Sequence, residues 1–188
     1  ASANPSVILL TGVAGLLAGA FSMAAGEYVS VAAQNELIER ELEVERRELA
    51  RNPEHEHAEL VAIYEAKGVK PERAEAVARD IMRRPETALL VHAREELGVD
   101  PDDLASPIKV ALYSFLAFAV GAVLPVVPWF FAAGRAAAIS SVVIGVAAAA
   151  TVGAFIGRFA ERRVARSALR QVLILVLACG ATYLVGAA

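Results

Sequence analysis

Four stretches of the chain contain no Asp, Glu, Lys or Arg: Pro5–Gly26, Val110–Gly134, Ala136–Gly157 and Gln171–Ala188. The first three exceed the roughly 20 residues that a helix needs to cross the hydrocarbon core, and the fourth is marginal at 18. Gly, Ala and Ser recur in all four, as in closely packed transmembrane helices. The pattern predicts an all-α fold, a polytopic helical membrane protein with four spans.

Between the first two stretches the pattern changes to short amphipathic runs. No Gly or Pro lies between Gly26 and Pro53, so the first helix is predicted to leave the membrane unbroken. It spans at 6–33 and continues over 34–52 with an apolar stripe of Leu37, Leu42, Val44 and Leu49. Asn52-Pro53 ends it, because the residue before Pro is pushed out of the helical region. Shorter helices are predicted over 54–67, 71–84 and 86–97, punctuated by Gly68, Pro71, Pro85 and Gly98. Three domains follow: a spanning helix (1–33), an inserted helical domain (34–105) and three further transmembrane helices (106–188). So small an inserted core buries little apolar area, which predicts support from oligomerisation, bound metal or both. Pro125 and Pro128 are expected to end or kink the second span.

Composition agrees. The 188 residues are 57% hydrophobic, with mean hydropathy +0.52, too apolar for an ordinary soluble domain. The first stretch lacks the basic start and the cleavage-like break of a signal peptide. Single Cys179 excludes an intramolecular disulfide and a cysteine-rich metal site.

Charge adds a topology. Residues 34–106 carry 19 acidic and 11 basic side chains, a net of −8, while the remainder carries two acidic and seven basic, a net of +5. So acidic a domain would repel nucleic-acid phosphates. Arg158, Arg162, Arg163, Arg166 and Arg170 cluster between the third and fourth spans, which the positive-inside rule assigns to the cytoplasm. Counting spans back places the acidic domain on that same face.

The acidic helix carries the candidate chemistry. Glu27 sits at the end of an apolar span, with Met23 one turn earlier and Ser30 three residues later. A thioether, a carboxylate and a hydroxyl in one stripe suit a path for a transition metal; the plain alternative is a carboxylate reaching headgroup water. Nine glutamates lie between Glu36 and Glu59. Glu36 and Glu43 have Arg40 and Arg47 at i+4 and read as surface ion pairs. Glu41, Glu45 and Glu48 align at i, i+4 and i+7, where like charges repel unless a cation relieves them. Arg51 lies within reach of Glu48, and such a row taken alone is more often a solvated acidic face; the helices that follow shift the reading. His55, Glu56, His57 and Glu59 follow in the next helix, and His92, Glu95 and Glu96 in the last. Antiparallel packing would converge carboxylates with imidazole, a donor set for Fe(II), Mn(II) or Zn(II) rather than copper. No hydrolytic metal motif, phosphate loop or nucleophile–base pair is present, so no enzyme is expected. Gly15-x-x-x-Gly19 and Gly153-x-x-x-Gly157 point to close helix contacts.

The block Ser22-Met23-Ala24-Ala25-Gly26-Glu27-Tyr28-Val29-Ser30-Val31, the Glu-rich helix, Glu95-Glu96-Leu97-Gly98 and Ser106-Pro107 together resemble the vacuolar iron transporter family. The resemblance implies a homodimer in a bacterial inner membrane, with a cytoplasmic metal-binding domain, that exports Fe2+, and Mn2+ as well, in exchange for protons. It places Met23 and Glu27 in the translocation path. It makes Glu45, Glu48, Glu56, Glu59 and Glu96 metal ligands, with His92 where plant members carry a methionine; Glu41 and His55 are further candidates. Metal ions, Zn2+ included, are bound or carried and are not cofactors. The chain opens in what looks like the loop after the family's first span, which carries an aspartate. The resemblance therefore implies a bacterial-type member without that helix, and without the N-terminal ferritin-like domain of some relatives. The rival expectation is a membrane-anchored metal buffer or sensor that does not transport. A third is a scaffold whose glutamates are only solvated.

Overall fold

The computed structural model describes residues 4–187. Its elements are helical, with no strand among the described residues. Proline sets most of the starts, since its missing N–H costs nothing in a first turn and its fixed φ is already helical. The helices are α1 (Pro5–Arg51), α2 (Pro53–Ala66), α3 (Pro71–Met82), α4 (Pro85–Glu95) and α5 (Pro107–Val123). A 3-10 turn, Val127–Phe130, precedes α6 (Gly134–Phe159) and α7 (Val164–Ala187).

The unbroken first helix is present. At 47 residues α1 is about 70 Å long, more than twice the thickness of a hydrocarbon core. Its charge-free part has the apolarity of a span, and its glutamates follow from Glu27 onward. The α2 terminus shows why Gly68 stops a helix. The Gly68 N–H donates to the Glu65 carbonyl and the Val69 N–H to the Tyr64 carbonyl. That pairing needs a left-handed residue, and Gly68 has φ +88°.

Helix α5 ends at Val123, as Pro125 and Pro128 predicted, so the apolar block to Gly134 does not form one long span. Leu124, Pro125 and Val126 form a turn, and the Ser141 hydroxyl donates to the Pro125 carbonyl at 2.6 Å. At 17 residues α5 is apolar and just at the lower limit of a span, whereas α1, α6 and α7 exceed it. The last is longer than its charge-free stretch, because α7 begins at Val164 and takes in Arg166 and Arg170.

The chain forms two compact units. One holds residues up to Ala25 and from Leu112 onward. Here α6 and α7 pack along their length, with Gly153 and Gly157 buried at the contact. A Cβ at Gly153 would lie 2.6 Å from the Ala168 Cα, so only glycine admits this approach. Phe21 meets Phe115 edge-on at 5.1 Å, and the Phe118 ring fills the space where Gly19 lacks a side chain. Most large apolar side chains here face outward, among them Phe131, Phe159, Leu177 and Val185. A surface this apolar is stable in lipid, not in water.

The second unit is Gly26–Ala111. Its core is built from Leu60 with Ala74, Ala78, Ala88 and Ala93, small residues that bring helices together. Leu60 and His92 are its largest fully buried side chains. The Asn35 amide donates to the Ala105 carbonyl at 2.9 Å, tying α1 to the segment before α5.

Candidate metal centre

Three helices of the second unit supply the site. Glu45 comes from the C-terminal part of α1, Glu56 from the first turn of α2, His92 from α4, and Glu96 is the residue capping α4. Glu45 and Glu56 are 4% and 3% exposed and His92 is fully buried, whereas Glu96 opens to solvent. Charged side chains are almost never buried so deeply without a partner.

The partners present do not satisfy them. His92 Nδ1 lies 3.1 Å from Glu45 Oε1 and 3.7 Å from Glu56 Oε2. Neither contact has hydrogen-bond geometry, and Glu45 Oε1 and both His92 nitrogens lack a partner. Buried unpaired polar atoms each cost about 1–3 kcal/mol, which a bound cation would remove. Glu45, His92 and Glu96 each offer one ligand atom, and these lie within 4.8 Å of one another. Two carboxylates and an imidazole form a donor set for Fe(II), Mn(II) or Zn(II).

Electrostatics follow from burial and crowding. Desolvation raises the Glu45 carboxyl to about 7, and the charges of Glu96, Glu56, Glu48 and Glu59 push it the same way. Desolvation likewise raises Glu56, helped by Glu59 and Glu48 and opposed by His55. Glu96 is raised by desolvation and by Glu59 and Glu48, while a hydrogen bond with Glu45 works against the rise. Burial lowers His92, which favours neutral imidazole, the metal-binding form; the charge of Glu59 opposes this.

The sequence-predicted candidates separate. Glu45, Glu56, His92 and Glu96 come together, with Glu48, Glu59 and His55 close enough to act on their charges. Glu41 is half-buried and outside the group that can share an ion. Glu95 is drawn off by an ion pair with Lys67, and His57 faces Glu75 at 3.8 Å. Glu43 pairs with Arg47 as expected and also with Arg46, at 3.0 and 2.7 Å. The expected Glu36–Arg40 pair is absent among the described residues. Met23 and Glu27 are both exposed on α1. The sequence reading missed the alanines that let these helices close on His92; Ala74 and Ala78, one turn apart in α3, were the available signal.

Known proteins are similar to this chain along most of its length. A vacuolar iron transporter of Acanthamoeba castellanii is 39% identical over 163 residues, covering 84% of this chain and 61% of that protein. Vacuolar iron transporter 1 of Oryza sativa subsp. japonica is 32% identical over 184 residues, covering 97% of this chain and 73% of the relative. Vacuolar iron transporter 1 of Eucalyptus grandis is 29% identical over 184 residues, covering 97% and 74%. This chain thus spans about three-fifths to three-quarters of their length. The sequence profile of the VIT family matches residues 1–187, and the chain belongs to that family.

Proposed function

We propose that this chain is a transmembrane transporter of divalent transition metal, with Fe2+ as its main cargo and Mn2+ as a second. The observation that carries this reading is the buried Glu45–Glu56–His92 group with Glu96 at its mouth and both imidazole nitrogens free. The names borne by its relatives support iron as cargo.

In this reading residues 34–105 form a cytoplasmic capture domain. Glu45, His92 and Glu96 bind the ion, Glu56 completes the site, and Glu48 and Glu59 add attracting charge. Met23 and Glu27 belong to the path across the bacterial inner membrane, where an ionisable residue beside a span marks an ion route. Protons move the other way, and the working unit is a homodimer.

Proteoliposomes holding the full chain test this. Fe2+ uptake should follow an imposed proton gradient, and Glu27→Gln should abolish uptake while leaving metal binding intact. Saturable binding without flux would instead identify a membrane-anchored metal buffer or sensor.

A further inference from the structure

The arginines of the α6–α7 connection and of the first turns of α7 do more than set the orientation of the chain, because they line a groove. Arg162, Arg163, Arg166 and Arg170 line one end of a groove of about 870 Å³, and Leu173, Ile174 and Leu177 continue it along α7. The groove is therefore cationic at the helix end and apolar along the span.

Three observations set its chemistry. First, none of these arginines forms a salt bridge among the described residues, although nine such pairs occur, all within the second unit. Second, the groove is held in place. Only residues 160–163 join α6 to α7, the Arg162 N–H donates to the Gly157 carbonyl at 2.9 Å, and Ser167 is buried against Gly157. Third, the apolar half lies on α7, which has the length and apolarity of a span, so it meets acyl chains and not water.

We propose that this groove binds one anionic phospholipid, with its phosphate among Arg163, Arg166 and Arg170 and an acyl chain along Leu173 and Leu177. Guanidinium forks match phosphate oxygens two at a time, and basic pockets beside transmembrane helices suit acidic headgroups. A second copy of the chain fits less well. A two-fold contact through this face sets its arginines against the same arginines, and no Asp or Glu lines the groove. The lipid site stands whether or not metal crosses the membrane.

The full chain, purified in detergent, is exchanged into nanodiscs of phosphatidylcholine alone or with phosphatidylglycerol. Retained lipid is counted by native mass spectrometry, and melting is followed in parallel. Phosphatidylglycerol should be retained and should raise the melting temperature, whereas glycerol phosphate in solution should do neither. Arg163→Gln with Arg166→Gln and Arg170→Gln should weaken retention about tenfold or more, since each surface arginine contributes to anionic-lipid binding. Arg135→Gln, at the start of α6, should leave it unchanged. The triple Arg→Lys variant should keep most of it, which separates lost charge from misfolding. Leu173→Trp should also lower retention by filling the apolar half. Equal retention of both lipids, full retention by the triple Gln variant, or protection by glycerol phosphate alone would overturn the proposal.

Discussion

Removing the charge of Glu45 should make the metal-free protein more stable at alkaline pH. The carboxyl is 4% exposed and its pKa stands near 7 against an ordinary 4.5, first through desolvation and then through Glu96, Glu56, Glu48 and Glu59. The folded state therefore holds this proton more tightly than the unfolded chain does. Its stabilising effect is full below about pH 4.5 and is lost as pH rises through 7. A rise of that size corresponds to about 3 kcal/mol, at about 1.4 kcal/mol for each pH unit. Glu45→Gln keeps the shape and cannot ionise. With chelator present, the parent's melting temperature should fall between pH 5 and 8, and the variant's should fall less. At pH 8 the variant should melt above the parent without metal and below it with saturating Mn2+. The assay is intrinsic fluorescence of the full chain in detergent, read at both pH values with and without Mn2+. A parent curve that is flat with pH, or a variant that melts lower than the parent at pH 8 in chelator, refutes the reasoning.

Mn2+ affinity of the parent should rise with pH through 7, because the Glu45 carboxyl, raised to about 7, must lose its proton to bind, and burial raises Glu56 and Glu96 in the same direction; calorimetry in two buffers of different ionisation heat would detect the released proton. His92→Leu should raise metal-free melting, since it replaces two unpartnered buried nitrogens with carbon, and should weaken Mn2+ binding about tenfold or more in the same calorimeter. Gly153→Ala should destabilise the chain by about 1–3 kcal/mol, because the new methyl meets the Ala168 Cα and the Ser167 carbonyl, which are backbone and cannot swing aside. Gly145→Ala, whose nearest neighbour is the Leu175 side chain at 3.8 Å, should melt with the parent in the same scan.

Much of the fold was legible because proline and glycine write helix boundaries into the sequence. Pro53, Pro71 and Pro85 open α2, α3 and α4, and Gly68 closes α2 through its positive φ. The absence of both residues after Gly26 foretold the long α1. Hydropathy failed where it averaged over punctuation. The block from Val110 to Gly134 is apolar throughout, yet Pro125 and Pro128 sit in a turn and a 3-10 segment, and the helix stops at Val123. It also understated α7, whose first turns carry arginines that a charge-free window excludes. At the site, residue types and helices were readable, but the choice among nine glutamates was not. Spacing along α1 treats Glu41, Glu45 and Glu48 alike; the packing of α2 and α4 buries Glu45 and leaves Glu48 exposed. The same packing turns His57 toward Glu75 and seats His92 between Glu45 and Glu56. The arginine cluster was read for its charge alone, because the groove it lines exists only once α7 is in place.

The central claim is that His92 and its carboxylates hold the transported metal. Pulsed electron paramagnetic resonance of Mn2+ on the full chain tests it most directly. One saturable Mn2+ should show coupling to a single directly bound nitrogen, and His92→Leu should erase that coupling while leaving the helical content unchanged. Saturable Mn2+ without nitrogen coupling, or coupling that survives His92→Leu, would contradict it.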